Sequence, residues 1–193
     1  MNTPFLTFYY DYDSSKYYES CANRLKSQIE SAGGTLLVKK PQLSESYLLN
    51  CLEKPKIILN TLQEIKKSLI WIDADCFINK LPIEFDNLNT HDIGFVIRNH
   101  DYKTPHSALI YFNYNEKVLR FIEVWIEKCD SERQNVLNGT YKCGDHCKLI
   151  DCYNEIKDID CVFASPKYAS TNIRDSMVLI GISPGGLDVE FKK

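Results

Sequence analysis

The run Leu69-Ile70-Trp71-Ile72 constrains the fold more than any other stretch, because charge bounds it on both sides: Lys66-Lys67 before it and Asp73-Ala74-Asp75 after it. An uninterrupted apolar run of this length fits a strand buried on both faces, of the parallel type that helices cover from either side. The rest of the chain supplies such helices. Pro4–Tyr10 is apolar, aromatic and β-prone. Ser14–Ala32 then carries Tyr17, Tyr18, Cys21, Leu25 and Ile29 near helical spacing, and Gly33-Gly34 stops it. Thr35–Val38 reads as a strand, Tyr47–Leu52 as a helical turn, and Pro55 opens a helix with Ile58, Leu59, Leu62 and Ile65. Ile93–Ile97 and Ala108–Phe112 are further strands. Lys117–Cys129 and Asp145–Ile156 are helices, and Cys161–Phe163 and Val178–Ile182 are late short strands, followed by a Gly/Pro-rich tail at 183–186. Alternation of this kind predicts an α/β architecture with a mostly parallel sheet.

With 193 residues the chain suits one domain, 1–193, and its 44% apolar content is enough for a sizeable core. A net charge of -3 gives no global basic field, so nucleic acid is not an expected partner. No stretch reaches the length of a membrane span, and Met1-Asn2-Thr3-Pro4-Phe5 does not begin a signal peptide. The expected location is cytoplasmic, or the host cytoplasm for a viral gene. The eight cysteines are then expected as free thiols, mostly buried. Cys143, His146, Cys147 and Cys152 lack a paired C-x-x-C, which argues against zinc.

Asp73 and Asp75 sit at the carboxyl end of the apolar strand, where open α/β sheets bind ligands. Two carboxylates so close repel each other, and a hard divalent cation with oxygen ligands relieves that. Such a cation, Mn²⁺ or Mg²⁺, could bridge a nucleoside diphosphate and stabilise it as a leaving group. Asp-X-Asp alone is a common acidic turn; the strand before it and Cys76-Phe77-Ile78 after it favour the site.

These residues resemble the metal-dependent glycosyltransferases of the GT-A fold, in particular the small bacterial and large-DNA-virus enzymes with a W-x-D-A-D strand end. Trp71-Ile72-Asp73-Ala74-Asp75 matches that motif. Asn50 to Pro55 resembles N-x-x-x-K-P, Asp92 to Arg98 the next strand, His106 to Asn113 the strand lining the donor sugar, and Gly144-Asp145-His146 with Leu149 the motif D-Q-x-x-L. The resemblance implies an α/β, three-layer GT-A (Rossmann-like) fold with a mostly parallel central sheet. It also implies transfer of a sugar from a nucleoside diphosphate sugar, a UDP-sugar by preference, to a glycan or glycoconjugate hydroxyl. Thr7, Tyr9, Tyr10, Asp11, Tyr12, Lys54, Asp73, Ala74, Asp75, Arg98, His106 and Ser107 become the donor-binding candidates, Asp73 and Asp75 the metal ligands, and Asp145 the catalytic residue nearest the acceptor. There are departures. His146 replaces Gln, Ser107-Ala108 replaces Ser-Gly, and no His follows His146 to complete a metal site. The metal is therefore expected on Asp75, diphosphate and water, with Asp73 on the ribose or a metal-bound water.

Several candidates have plainer alternatives. Asp11 could cap a helix, Lys54 could be a solvated lysine at a helix start, and Asp145 could simply favour a helix N-terminus. Two other functions compete with glycosyl transfer. A sugar nucleotidyltransferase would want a Gly-rich basic loop after the first strand, where Asp11-Tyr12-Asp13-Ser14-Ser15 stands instead. A non-catalytic sugar-nucleotide-binding domain of the same shape would tolerate the missing His.

Overall fold

The computed structural model describes residues 1–11, 16–41, 46–99, 102–141, 144–164, 169–170 and 177–179, with backbone only at 98–99, 102–103, 169–170 and 179. Strands β1 (Phe5–Phe8), β2 (Leu36–Lys39) and β3 (Leu69–Ile72) pair in parallel, with Phe5 beside both Leu36 and Ile70. Strands β5 (Ile93–Asn99) and β7 (Cys161–Ala164) also pair in parallel. Between β3 and β5 lies β6 (Tyr102–Phe112), antiparallel to both. The sheet order is β2-β1-β3-β6-β5-β7, so every strand but β6 runs one way.

The reversal of β6 follows from chain length. A parallel crossover needs a dozen or more residues, whereas only 100–101 separate β5 from β6, so the two form a hairpin. This also explains why β6 begins six residues before Ala108, where apolar patterning alone starts it.

Side-chain alternation divides the core into two layers. Leu6, Leu69, Trp71, Ile110 and Phe112 face one side with Ile58 and Leu62 of α3 (Lys54–Ile65), Phe121, Ile122 and Trp125 of α4 (Glu116–Leu137), and Leu149 of α5 (Asp145–Glu155). Phe5, Ile70, Ile72, Leu109 and Tyr111 face the other, against Leu25 and Ile29 of α1 (Tyr17–Ser31). The expected three layers are therefore present, with β3 buried on both faces. A short helix α2 (Tyr47–Cys51) precedes α3, and Ser46 caps it by accepting from Leu49 N.

Other elements depart from the sequence reading. Helix α4 runs to Leu137, past the expected end at Cys129, and its polar extension is held by tertiary pairing: buried Glu132 meets Lys148 of α5 at 2.8 Å. A 3₁₀ helix (Ile83–Thr90), β4 (Phe77–Ile78) and β8 (Ala169–Ser170) were too short to carry a periodic signal, whereas β9 (Val178–Leu179), which joins β4 and β8 in a small sheet, begins where the last strand was expected. Residues 180–182 of the expected last strand, and the tail at 183–186, lie outside the described residues. Among the described residues no helix is long and apolar enough to cross a membrane. Cys21, Cys51, Cys76, Cys129, Cys152 and Cys161 are free thiols, as expected. Cys147 is disulfide-bonded, against expectation, because composition does not reveal which thiols the fold brings together.

Gly94 of β5 tests how closely the 3₁₀ helix sits on the sheet. A Cβ there would lie 2.6 Å from Leu88 Cδ1 and 3.2 Å from Tyr111 Cβ. Gly94→Val is expected to cost about 1–3 kcal/mol through overpacking, seen as a lower urea midpoint. An unchanged midpoint would mean that the 3₁₀ helix yields freely.

Candidate functional site

The carboxyl ends of β1 and β3 open into a cavity of about 230 Å³. Its walls come from Phe8, Tyr9 and Tyr10 at the end of β1, Tyr18 of α1, and Tyr47, Asn50 and Cys51 of α2. Lys54 of α3, Trp71, Asp73, Ala74 and Asp75 after β3, Ser107 of β6 and Asp145 of α5 complete them. Segments distant in sequence thus meet at one end of the sheet.

Lys54 joins them. It occupies the first position of α3, immediately before Pro55, and is buried. Its ammonium lies 2.9 Å from Asp73 Oδ1 and 2.9 Å from Asp145 Oδ2 as a close ion pair with each. It also reaches the Ser107 carbonyl at 3.4 Å and hydroxyl at 3.5 Å, and stands 5.4 Å from the centre of the Trp71 ring. Burial alone would push its pKa down, but Asp145 and then Asp73 outweigh burial and hold it above the ordinary lysine range.

Each partner is fixed in turn. Trp71 and Asp73 point to the same side of β3, and the indole Nε1 donates to Asp73 Oδ1 at 2.8 Å. Asp73 N donates to the Ala108 carbonyl at 2.9 Å, continuing the β3–β6 pairing one residue further. Trp125 Nε1 donates to the backbone carbonyl of Asp145 at 2.9 Å and so holds the start of α5. His146, next along, accepts from Ser107 N through Nδ1 at 3.3 Å, and His106 accepts from Ala108 N through Nδ1 at 3.1 Å. The two imidazole centres are 5.3 Å apart.

Asp75 is half-buried, and its pKa is raised from 3.8 to about 6, first by burial and then by the charge of Asp73. The turn that carries it is clamped from α1. Arg24 Nη2 donates to the carbonyls of Asp75 (3.5 Å) and Cys76 (3.2 Å), its guanidinium stands 5.7 Å from the Phe77 ring centre, and Gln28 Oε1 accepts from Ile78 N at 3.2 Å. Arg24 and Gln28 are four residues apart, on one face of the helix.

Of the candidates named from sequence, Tyr9, Tyr10, Lys54, Asp73, Ala74, Asp75, Ser107 and Asp145 line this one cavity. Thr7 is fully buried in β1 and is not in its walls. Asp11 is not in the walls either, and its carboxylate accepts from Tyr18 N at 2.7 Å and Glu19 N at 3.1 Å, capping α1. His106 stands one residue behind the wall residue Ser107. Tyr12 and the side chain of Arg98 lie outside the described residues. Sequence reasoning overlooked Phe8, Tyr18, Tyr47, Asn50, Cys51 and Trp71 as wall residues. A signal existed for three of them, because Tyr47, Asn50, Cys51 and Lys54 recur at the spacing of one helical face. The Cys51 thiol is pushed up to about 11 by burial and by Asp145, so it is no nucleophile near neutral pH.

Among the described residues no group of three or more His, Cys, Asp or Glu side chains is arranged to hold a metal ion. Asp73 and Asp75 nevertheless suit a hard cation bound in part by its ligand. Asp73 Oδ1 is committed to Lys54 and Trp71, whereas Asp75 is a carboxylate that burial and a like charge both disfavour.

Two outcomes follow from these charges. Lys54→Met leaves the Asp73 and Asp145 carboxylates without their cation and is expected to cost ~3–5 kcal/mol in a denaturation experiment; a loss indistinguishable from that of an exposed lysine would show the cluster to be solvated. Asp75 binds its proton more tightly in the folded chain than in the unfolded one. Its contribution to stability therefore falls as pH rises from 3.8 to about 6. Asp75→Asn is expected to flatten that part of the stability–pH curve, and curves that stay parallel would contradict the assignment.

No protein-family model matches the chain, and no curated protein matches it in sequence. Solved structures do resemble it. One is a glycosyltransferase involved in the glycosylation of the major capsid of PBCV-1, with a TM-score of 0.64 over 92% of this chain and 92% of that one, at 10% identity. Another is the glycosyltransferase GlyE of Streptococcus pneumoniae TIGR4, with a TM-score of 0.57 over 94% of this chain, which spans 55% of GlyE, at 12% identity. At these identities the likeness is one of fold, and the chain has the α/β fold of these glycosyltransferases, built on a mostly parallel sheet.

Proposed function

We propose that this chain is a metal-dependent glycosyltransferase of GT-A type that moves a sugar from a UDP-sugar to a glycan hydroxyl. The observation that carries the reading is the placement of Asp73, Asp75 and Asp145 around Lys54 in an aromatic-walled cavity at the carboxyl ends of parallel strands. The fold shared with two glycosyltransferases supports it.

Tyr9 and Tyr10 offer rings for the nucleoside, and Asp73 a carboxylate for the ribose or a metal-bound water. Asp75, with diphosphate and water, would hold Mn²⁺ or Mg²⁺. When bound, such a cation offsets the charge that develops on the departing diphosphate. Lys54 keeps Asp73 and Asp145 in place without neutralising both, since one ammonium faces two carboxylates. Asp145 takes the proton of the acceptor hydroxyl. The acceptor oxygen bonds to the anomeric carbon, and the bond from that carbon to the diphosphate breaks with its electron pair staying on the diphosphate.

Calorimetry is expected to show UDP binding that requires Mn²⁺ or Mg²⁺ and disappears in Asp75→Ala; unaltered binding in that variant would refute the metal assignment. A panel of sugar nucleotides, assayed for UDP release, is expected to reveal at least one donor. Tight UDP binding with no turnover of any donor would make the chain a binding domain rather than an enzyme.

A further inference from the structure

Four large apolar or aromatic side chains stand exposed among the described residues: Tyr47, Ile83, Leu137 and Tyr141. The two tyrosines come from separate elements yet share surroundings. Tyr47, 54% exposed, belongs to the cavity wall with Cys51 and Asp145, and its hydroxyl is hydrogen-bonded to the Cys51 side chain one turn along. Tyr141, 36% exposed, leads into α5, and its hydroxyl lies where a Cβ on Gly144 would come within 3.1 Å of it. Cys51 and Asp145 are among the groups it senses electrostatically. Tyr47 thus lines the cavity together with Asp145, and the Tyr141 hydroxyl stands beside Gly144, the residue before Asp145.

We infer that Tyr47 and Tyr141 form the acceptor subsite, a platform on which the pyranose ring of the acceptor stacks so that one hydroxyl reaches Asp145. The inference rests on the glycosyl-transfer reading and adds the place at which the glycan acceptor binds and the ring face it presents. An exposed phenol ring suits a sugar, whose C–H face is apolar and whose edge is polar, and the phenol hydroxyl can still hydrogen-bond. Tyr47 shares one cavity with Tyr9 and Tyr10, so the two substrates would lie side by side in it. Tyr9 and Tyr10 end β1, whereas α5 packs on β6, two strands away in the sheet.

The test uses the full chain and a panel of methyl pyranosides (glucoside, galactoside, mannoside, rhamnoside and N-acetylglucosaminide). Saturation-transfer NMR is run with and without UDP and Mg²⁺. At least one glycoside is expected to receive saturation through its ring C–H protons. Its affinity is expected to fall roughly five-fold in Tyr141→Ala and in Tyr47→Ala, and to survive in the Phe variants, which keep the ring. Thermal melts of each variant establish that it is folded. Equal affinity in the folded Ala variants, or no glycoside bound by the wild-type chain, overturns the subsite. Calorimetry of UDP on the wild-type chain is a separate arm. A chain that binds no UDP loses the donor reading, while glycoside binding that disappears with either ring would still establish the sugar platform.

Discussion

Everything at the carboxyl end of the sheet turns on the Lys54 ammonium. A buried lysine on its own would tend to shed its proton. Beside Asp73 and Asp145 the ammonium keeps it, and the helix start at 54, the strand end at 73 and the helix start at 145 are tied to one atom. Such a cluster does little for net stability, because three desolvated charges offset most of their mutual attraction. Its effect is geometric. Of the three elements it ties, α3 and α5 lie in the same layer of the core, and the cluster sets the distance at which their first residues face the end of β3.

The sheet explains why the cluster is possible. β1 and β3 are adjacent and parallel, so both release the chain at the same edge. The reversed β6 brings Ser107 and Ala108 back to that edge from the opposite direction, next to Asp73. A strand parallel to β3 would have presented its own end there and led the chain away. The hairpin, forced by the short 100–101 connection, thus places the backbone groups that hold His106, His146 and Lys54.

Much of this was legible in the sequence, and the limits have physical causes. The run 69–72 revealed a doubly buried strand because continuous apolar residues leave no face for water, and Asp73 and Asp75 stood out by ending it abruptly. Lys54 was visible as part of a motif but ambiguous as chemistry, because nothing local distinguishes a buried lysine at a helix start from a solvated one; its partners are 19 and 91 positions away. Arg24 and Gln28 were invisible for the same reason, since they sit on α1 at polar spacing and act on backbone carbonyl and amide groups, which leave no trace in composition. The end of α4 was misjudged where Glu132 is buried, because its stability there comes from Lys148 rather than from periodicity. Asp11 shows the converse. Its cap on α1 is a local interaction, and local interactions are what sequence alone weighs best.

The remaining asymmetry lies between the two halves of the acidic pair. Asp73 is held through one oxygen by an ammonium and an indole, both nearby and both donors. Asp75 receives its support indirectly, through Arg24 on its backbone carbonyl, so the turn is fixed while the carboxylate itself remains costly to ionise. If stability alone had shaped this turn, a neutral side chain at 75 would serve better, since the backbone contacts would persist without the charge. A half-buried carboxylate with a raised pKa, on a turn that α1 holds through backbone carbonyls, fits the proposed reading of a site prepared for a positive ligand. The charge balance agrees. Asp73, Asp75 and Asp145 line the cavity with Lys54, Arg24 also acts on Asp75, and on the proposed reading a bound cation would offset the negative charge that remains.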